Sequence, residues 1–318
     1  MTSKHILITG AAGFIGYHLA LALKARGDHV IGLDNFNDYY DPSLKRERAK
    51  LLALQGIHVD EGDVCDAPLL LKLMTEKSFT HIVHLAAQAG VRYSLVNPQA
   101  YIKANIDGFL SILEVCRQFP SVPLIYASSS SVYGTNIKTP FAVEDRTDAQ
   151  ASLYGVTKKT NELMAYTYHH LYDIRVTGLR FFTVYGPWGR PDMAYFSFTK
   201  AILEDKPIDV YHFGHMKRDF TYIDDIVSGV IAALDLSAPC EIFNLGNHRP
   251  EPLSALISAI EESLGKKAIM RHLPIQPGDV EATYADIESS YQKLGFQPKV
   301  SLHEGIRKFV QWYINLIK

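Results

Sequence analysis

Lys4-His5-Ile6-Leu7-Ile8-Thr9-Gly10-Ala11-Ala12-Gly13-Phe14-Ile15-Gly16 runs from a short apolar segment through three spaced glycines into a stretch of helical periodicity that Gly27 closes. In this arrangement Gly10 permits a tight turn, Gly13 lets backbone approach a pyrophosphate, and Gly16 lets the helix pack on the strand. The first turn of the helix, opened by Phe14 and Ile15, offers unpaired N–H groups and the positive end of its dipole to phosphate. A plain strand–helix turn carries similar glycines, so the residues further along must decide.

Outward from this loop the chain alternates. Buried strand patterns are expected at 29–33, 57–60, 81–85, 124–127 and 175–179. Helical patterns are expected near 66–76, 98–118 and 151–172. Strict alternation implies a parallel sheet covered by helices on both faces, a Rossmann-type doubly wound α/β fold. Residues 1–179 read as the nucleotide-binding domain. Beyond 180 the pattern loosens around a rigid turn at 186–191, and 180–318 reads as a smaller α/β substrate lobe with some segments returning to the first.

Asp34 ends the second strand, eighteen residues after Gly16. A carboxylate there takes the adenosine ribose hydroxyls of NAD and repels the extra phosphate of NADP, and Asn35 can support it. Asp63 and Val64 follow the third strand, where an adenine contact and a helix cap are both open readings.

Of eighteen tyrosines, only Tyr154 has a lysine four residues on, Lys158. That spacing puts both on one helix face. A nearby ammonium favours the phenolate, so Tyr154 becomes a usable base for an alcohol whose hydride goes to NAD. A solvated Tyr/Lys pair has the same spacing. The run Ser128-Ser129-Ser130-Ser131 lies just beyond an expected strand, at the sheet edge where doubly wound folds bind ligands, although serines also suit turns.

Composition excludes several classes. The formal net charge of −2 gives no basic footprint for nucleic acid or anionic membrane. No apolar run reaches the ~20 residues of a membrane span, and the N-terminal apolar residues belong to the fold rather than to a signal peptide. Cys65, Cys116 and Cys240 are scattered, fit neither disulfides nor zinc, and suggest a reducing cytoplasm. No metal is expected.

GAAGFIG at 10–16, HLAAQAGVRYS at 84–94, SSSSVYG at 128–134, YGVTK at 154–158, RFFTVYGPWGRPDM at 180–193, RDFTYIDDI at 218–226 and QPGDVEATYAD at 276–286 span the chain. Together they resemble the nucleotide-sugar epimerases and dehydratases of the extended short-chain dehydrogenase/reductases. Three of them, AAQAGVRYS, GPWGRPDM and QPGDVEATYAD, look like the UDP-glucuronate 4-epimerase branch. The resemblance implies Ser129 as the hydroxyl beside Tyr154 and Lys158. It implies Ala86, Gln88 and Asn105 in the cofactor pocket, and Arg218 and Asp279 facing UDP. Gln276 stands where many relatives carry Arg, which leaves one diphosphate contact unassigned.

Within that family, dehydration calls for Asp-Glu after the catalytic hydroxyl, where this chain has Ser130-Ser131, and the glutamate usual in decarboxylating relatives is absent as well. Epimerisation remains, with NAD held through turnover and UDP-glucuronate and UDP-galacturonate as the expected pair. A uronate's 4-keto form is a β-keto acid, so its carboxylate needs firm partners. Ser130, Ser131 and Thr183 are the hydroxyls suited to this, with Arg190 and Arg92 as cations. Hydroxyls also suit a neutral sugar, which keeps UDP-glucose and UDP-N-acetylhexosamine 4-epimerases as alternatives beside a UDP-glucuronate decarboxylase. A non-catalytic NAD-binding scaffold is the alternative from another class. Relatives pair their helices at 98–118 and 151–172 across a dimer axis. A homodimer is therefore expected through Ile102, Ile106, Leu113, Leu163 and Leu171.

Overall fold

Along the first strand, β1 (His5–Thr9), Ile6 and Ile8 join one apolar cluster while Leu7 joins another. Successive side chains of a strand point to opposite faces, so this sheet is buried on both sides. The computed structural model describes residues 3–274 and 282–317.

The remaining strands of the sheet are β2 (His29–Asp34), β3 (His58–Glu61), β4 (His81–His84), β5 (Leu124–Ser129), β6 (Val176–Phe181) and the strand Cys240–Leu245. Their order in space is β3-β2-β1-β4-β5-β6-(Cys240–Leu245), and every pairing is parallel. The strand order reverses between β1 and β4, and ligands of such sheets bind at the carboxyl ends beside that reversal. Thr9, Asp34, His84 and Ser129 are the last residues of their strands and share that edge.

The first helix, α1 (Phe14–Arg26), follows the glycine loop directly. The expected helix at 98–118 is present without a gap, but its winding changes along its length. Pro98–Tyr101 leads into a wide π-helical turn, Ile102–Asp107, before α-geometry resumes at Gly108–Gln118. The wide turn holds Asn105, which is buried beneath the loop after β4. π-turns of this kind recur beside functional sites.

Beyond β6, Thr183–Tyr185 and Lys217–Tyr222 pair in parallel, and Lys217–Tyr222 also carries Pro250–Pro252 and Ala282–Thr283. Ile208–Tyr211 pairs separately with Met270–Leu273. Helix Ile223–Leu236 returns to pack against α1, and Cys240–Leu245 then completes the main sheet. Of the apolar residues expected at a dimer surface, Leu113 is wholly buried in this chain's own core and so is corrected. Its helix turns that side toward the sheet. Ile102, Leu163 and Leu171 are exposed and Ile106 is half-buried.

Candidate active site

Gly10 sits at φ 71°, a left-handed geometry that disfavours side chains, and a Cβ there would stand 2.7 Å from the Ala86 nitrogen. At Gly16 a Cβ would lie 2.2 Å from the Gly10 carbonyl oxygen. The loop therefore closes tightly onto the sheet, and α1 starts hard against it. Gly10, Gly13, Phe14, Ile15 and Gly16 line one end of a cavity of about 420 Å³.

Asp34 stands at the same end. Its Oδ2 accepts the Ala12 N–H at 3.0 Å and its Oδ1 accepts the Phe36 N–H at 2.9 Å. Burial raises its carboxyl, and the two backbone donors with the Lys45 and Arg48 charges draw it partly back. Each oxygen keeps a second lone pair, so ribose hydroxyls can still donate to it. Asn35 Nδ2 donates to Asp63 Oδ2 at 3.3 Å, and Asp63 Oδ1 also accepts the Cys65 N–H. Asn35, Asp63 and Val64 line the cavity; a different residue, Asp66, caps the following helix. A cradle built this way, with free helix N–H groups, a tight glycine loop and a ribose-facing carboxylate, fits a dinucleotide.

The loop after β4 forms the next wall with Ala86 and Gln88. Asn105 does not line the cavity, contrary to its expected place. It stands behind the wall, accepting the Gln88 N–H at 2.8 Å and donating to the Gln88 carbonyl at 3.0 Å and to Thr157 Oγ1 at 3.0 Å. Its short amide reaches the loop from a buried helix and braces it there.

β5 runs two residues further than the 124–127 expected, which brings Ser129 to its last position. There the Ser129 hydroxyl accepts the Ser131 N–H at 3.1 Å, and Ser129 and Tyr154 line the same cavity. Tyr154 and Lys158 lie one turn apart on helix Leu153–Tyr172, which the Ser152 hydroxyl caps through the Gly155 N–H. Burial raises the Tyr154 phenol, while Ser129 and the Arg190 charge pull it down. Burial pushes the Lys158 ammonium down to about 8, and its Nζ donates to the Ala127 carbonyl at 2.8 Å. Arg190 thus adds a charge on Tyr154 that the sequence reading did not assign, beside Lys158 one turn along the same helix.

Ser130, Ser131, Thr183 and Arg190 line the same cavity. Arg190 makes a two-point ion pair with Asp192, at 3.0 and 2.6 Å. Arg92 lies off the cavity, exposed, with its guanidinium 5.5 Å over the Tyr211 ring. Arg218 also lies outside the lining, on Lys217–Tyr222, with a guanidinium donor on the Lys217 carbonyl. Asp279 and Gln276 fall outside the described residues.

Several lining residues escaped the sequence reading, among them Asn37, Tyr39, Tyr40 and Lys45. Tyr39 donates its hydroxyl to Asp192 at 3.0 Å, and Lys45 donates to the Asn37 carbonyl and side chain. The density of aromatic and polar residues directly after Asp34 was the available signal. Also missed was the buried network behind Ser129. Glu162 accepts from Ser128 Oγ at 2.7 Å and pairs two-fold with Arg180 at 2.8 and 3.0 Å.

The family model of the NAD dependent epimerase/dehydratase family matches residues 6–246. UDP-glucuronate 4-epimerase 4 of Arabidopsis thaliana is 53% identical over 98% of this chain and 75% of its own. The crystal structure of UDP-glucuronic acid 4-epimerase from Bacillus cereus, in complex with UDP-glucuronic acid and NAD, superposes with a TM-score of 0.91. It is 37% identical, over 98% of this chain and 99% of that one. A UDP-glucose 4-epimerase from Thermotoga maritima superposes with a TM-score of 0.88 at 28% identity, over 99% of this chain and 100% of that one. With the glycine loop, the sheet order and the Ser129–Tyr154 pair at one sheet edge, the chain belongs to the NAD dependent epimerase/dehydratase family.

Proposed function

We propose that this protein is an NAD-dependent 4-epimerase that interconverts UDP-glucuronate and UDP-galacturonate. The observation that carries the reading is the single cavity joining the Gly10–Gly16 cradle to Ser129, Tyr154 and Lys158 and then to the hydroxyls of Ser130, Ser131 and Thr183. Tyr154 takes the proton of the sugar 4-hydroxyl and later returns it, with Ser129 relaying the hydrogen bond and Lys158 supporting the phenolate. Bound NAD accepts the C4 hydrogen as hydride and gives it back on the opposite face of the keto sugar.

Ser130, Ser131 and Thr183 hold the uronate carboxylate out of alignment with the 4-keto group, which resists loss of carbon dioxide. Arg190 adds positive charge on that side, although Asp192 shares it. Arg92 and Arg218, off the cavity wall, belong to its outer reach, where the nucleotide extends over the smaller lobe formed largely by 180–318. Product analysis after incubation with UDP-glucuronate and no added NAD should give UDP-galacturonate. Turnover of neutral UDP-sugars alone would instead select the UDP-glucose 4-epimerase reading.

The exposed Ile102, Leu163 and Leu171 support a homodimer through these two neighbouring helices. A dimeric mass in solution is expected, and a strictly monomeric mass at micromolar concentration would contradict it.

A further inference from the structure

Arg48, on helix Ser43–Leu54, is wholly buried. Its Nη1 donates to the Ala12 carbonyl in the glycine loop at 2.9 Å and to the Tyr40 hydroxyl at 3.0 Å. Its Nη2 donates to the Trp188 carbonyl at 2.5 Å and to that of Gly189 at 3.3 Å. One rigid guanidinium fork thus spans from the phosphate-facing loop to the turn that carries Arg190. That turn is held from the same side twice more. His18 Nε2, on α1, meets the Pro187 carbonyl at 2.9 Å, and the Tyr39 hydroxyl donates to Asp192. Trp188 itself sits at φ 59°, a left-handed conformation that a bulky residue keeps only when its surroundings hold it.

Charge gives a second, independent indication. Arg48 forms no ion pair among the described residues; its acceptors are carbonyl and hydroxyl oxygens. The Asp34 carboxylate feels this charge without touching it, and a buried cation with no anion in contact is costly. The adjacent glycine loop is shaped for a pyrophosphate, whose negative charge would balance it. Arg48 does not line the cavity, so it acts through the loop and the turn rather than by touching the cofactor.

We infer that Arg48 is a positioning residue that latches the glycine loop to the 186–193 turn, keeping the cofactor bound through turnover. This rests on the reading of the cavity as an NAD site. An enzyme that returns its reducing equivalent to the same sugar needs no cofactor exchange, so a latch of this kind costs it nothing in rate.

The test compares wild type, Arg48→Met, Arg48→Lys and Tyr40→Phe by bound NAD after gel filtration, exchange of bound cofactor for labelled NAD, and steady-state kinetics with added NAD. Wild type should retain its cofactor. Arg48→Met should emerge largely empty, with KM for NAD raised about tenfold or more and kcat at saturating NAD nearly restored. Arg48→Lys, which keeps the charge but not the fork, should fall between. Arg48→Met with wild-type cofactor content and KM would overturn the latch. If Arg48→Met does not fold, Tyr40→Phe decides: severalfold faster exchange supports the latch, and wild-type exchange overturns it. A wild type that binds no NAD at all would sink the reading of the cavity instead.

Discussion

Burial makes the Tyr154 phenol a weaker acid than free tyrosine, while the Ser129 hydroxyl and the Arg190 charge draw it back. Deleting that one oxygen removes the proton carrier and almost no volume. Tyr154→Phe should therefore bind NAD as wild type does while kcat falls by about 10²–10⁴-fold. Near-normal turnover in that variant would remove Tyr154 from the mechanism. Thr183 tests the carboxylate partners in the same way. Thr183→Val keeps shape and loses a hydrogen bond to a charged group, about 1.5–3 kcal/mol. Epimerisation should fall, and a UDP-4-keto-pentose, lighter than the UDP-uronates by one carbon dioxide and two hydrogens, should rise in the mass spectrum, with the hydride left on the cofactor as NADH. If Thr183→Val epimerises normally and releases no carbon dioxide, Thr183 does not hold the carboxylate. Tyr154, Lys158 and Asp34 were legible in the sequence because their chemistry is local: a fixed helix spacing, or the end of a strand. Arg48 and the Arg190–Asp192 pair were not, because their roles depend on what a fold brings together from distant segments.

At the scale of elements, helix Leu153–Tyr172 is tied to the sheet through Glu162, whose carboxylate meets Ser128 of β5 and Arg180 of β6. Both members of the ion pair are about 2% exposed. Removing one charge strands the other, which typically costs about 3–5 kcal/mol. Glu162→Gln should lower the denaturant midpoint by a corresponding amount, with partial loss of activity because Ser129 and Tyr154 lose their common support. An unchanged midpoint would show that the network does not hold the helix. The order and type of the sheet elements could be read from the alternation of apolar runs and glycines. The π-helical winding at Ile102–Asp107 could not, since the residues of 98–118 satisfy ordinary helical periodicity and the contacts of buried Asn105 come from distant segments. The small sheets after β6 escaped for a related reason: apart from Lys217–Tyr222, their strands are only two to four residues long, such as Ala282–Thr283, too short to show a period.

Across the whole molecule, the Gly10–Gly16 loop, Tyr154 and the hydroxyls of Ser130, Ser131 and Thr183 open into one cavity at the carboxyl edge of a seven-stranded parallel sheet. That continuity has a chemical consequence. Hydrogen removed from the sugar C4 never leaves the site and must return to the same carbon. The decisive measurement is mass spectrometry of the products from UDP-glucuronate carrying deuterium at C4, incubated with the purified enzyme in ordinary water and no added NAD. UDP-galacturonate that keeps the deuterium at C4 is the expected result. UDP-galacturonate in which that deuterium has been replaced by solvent hydrogen, or no conversion of UDP-glucuronate at all, would contradict epimerisation by oxidation and return at C4.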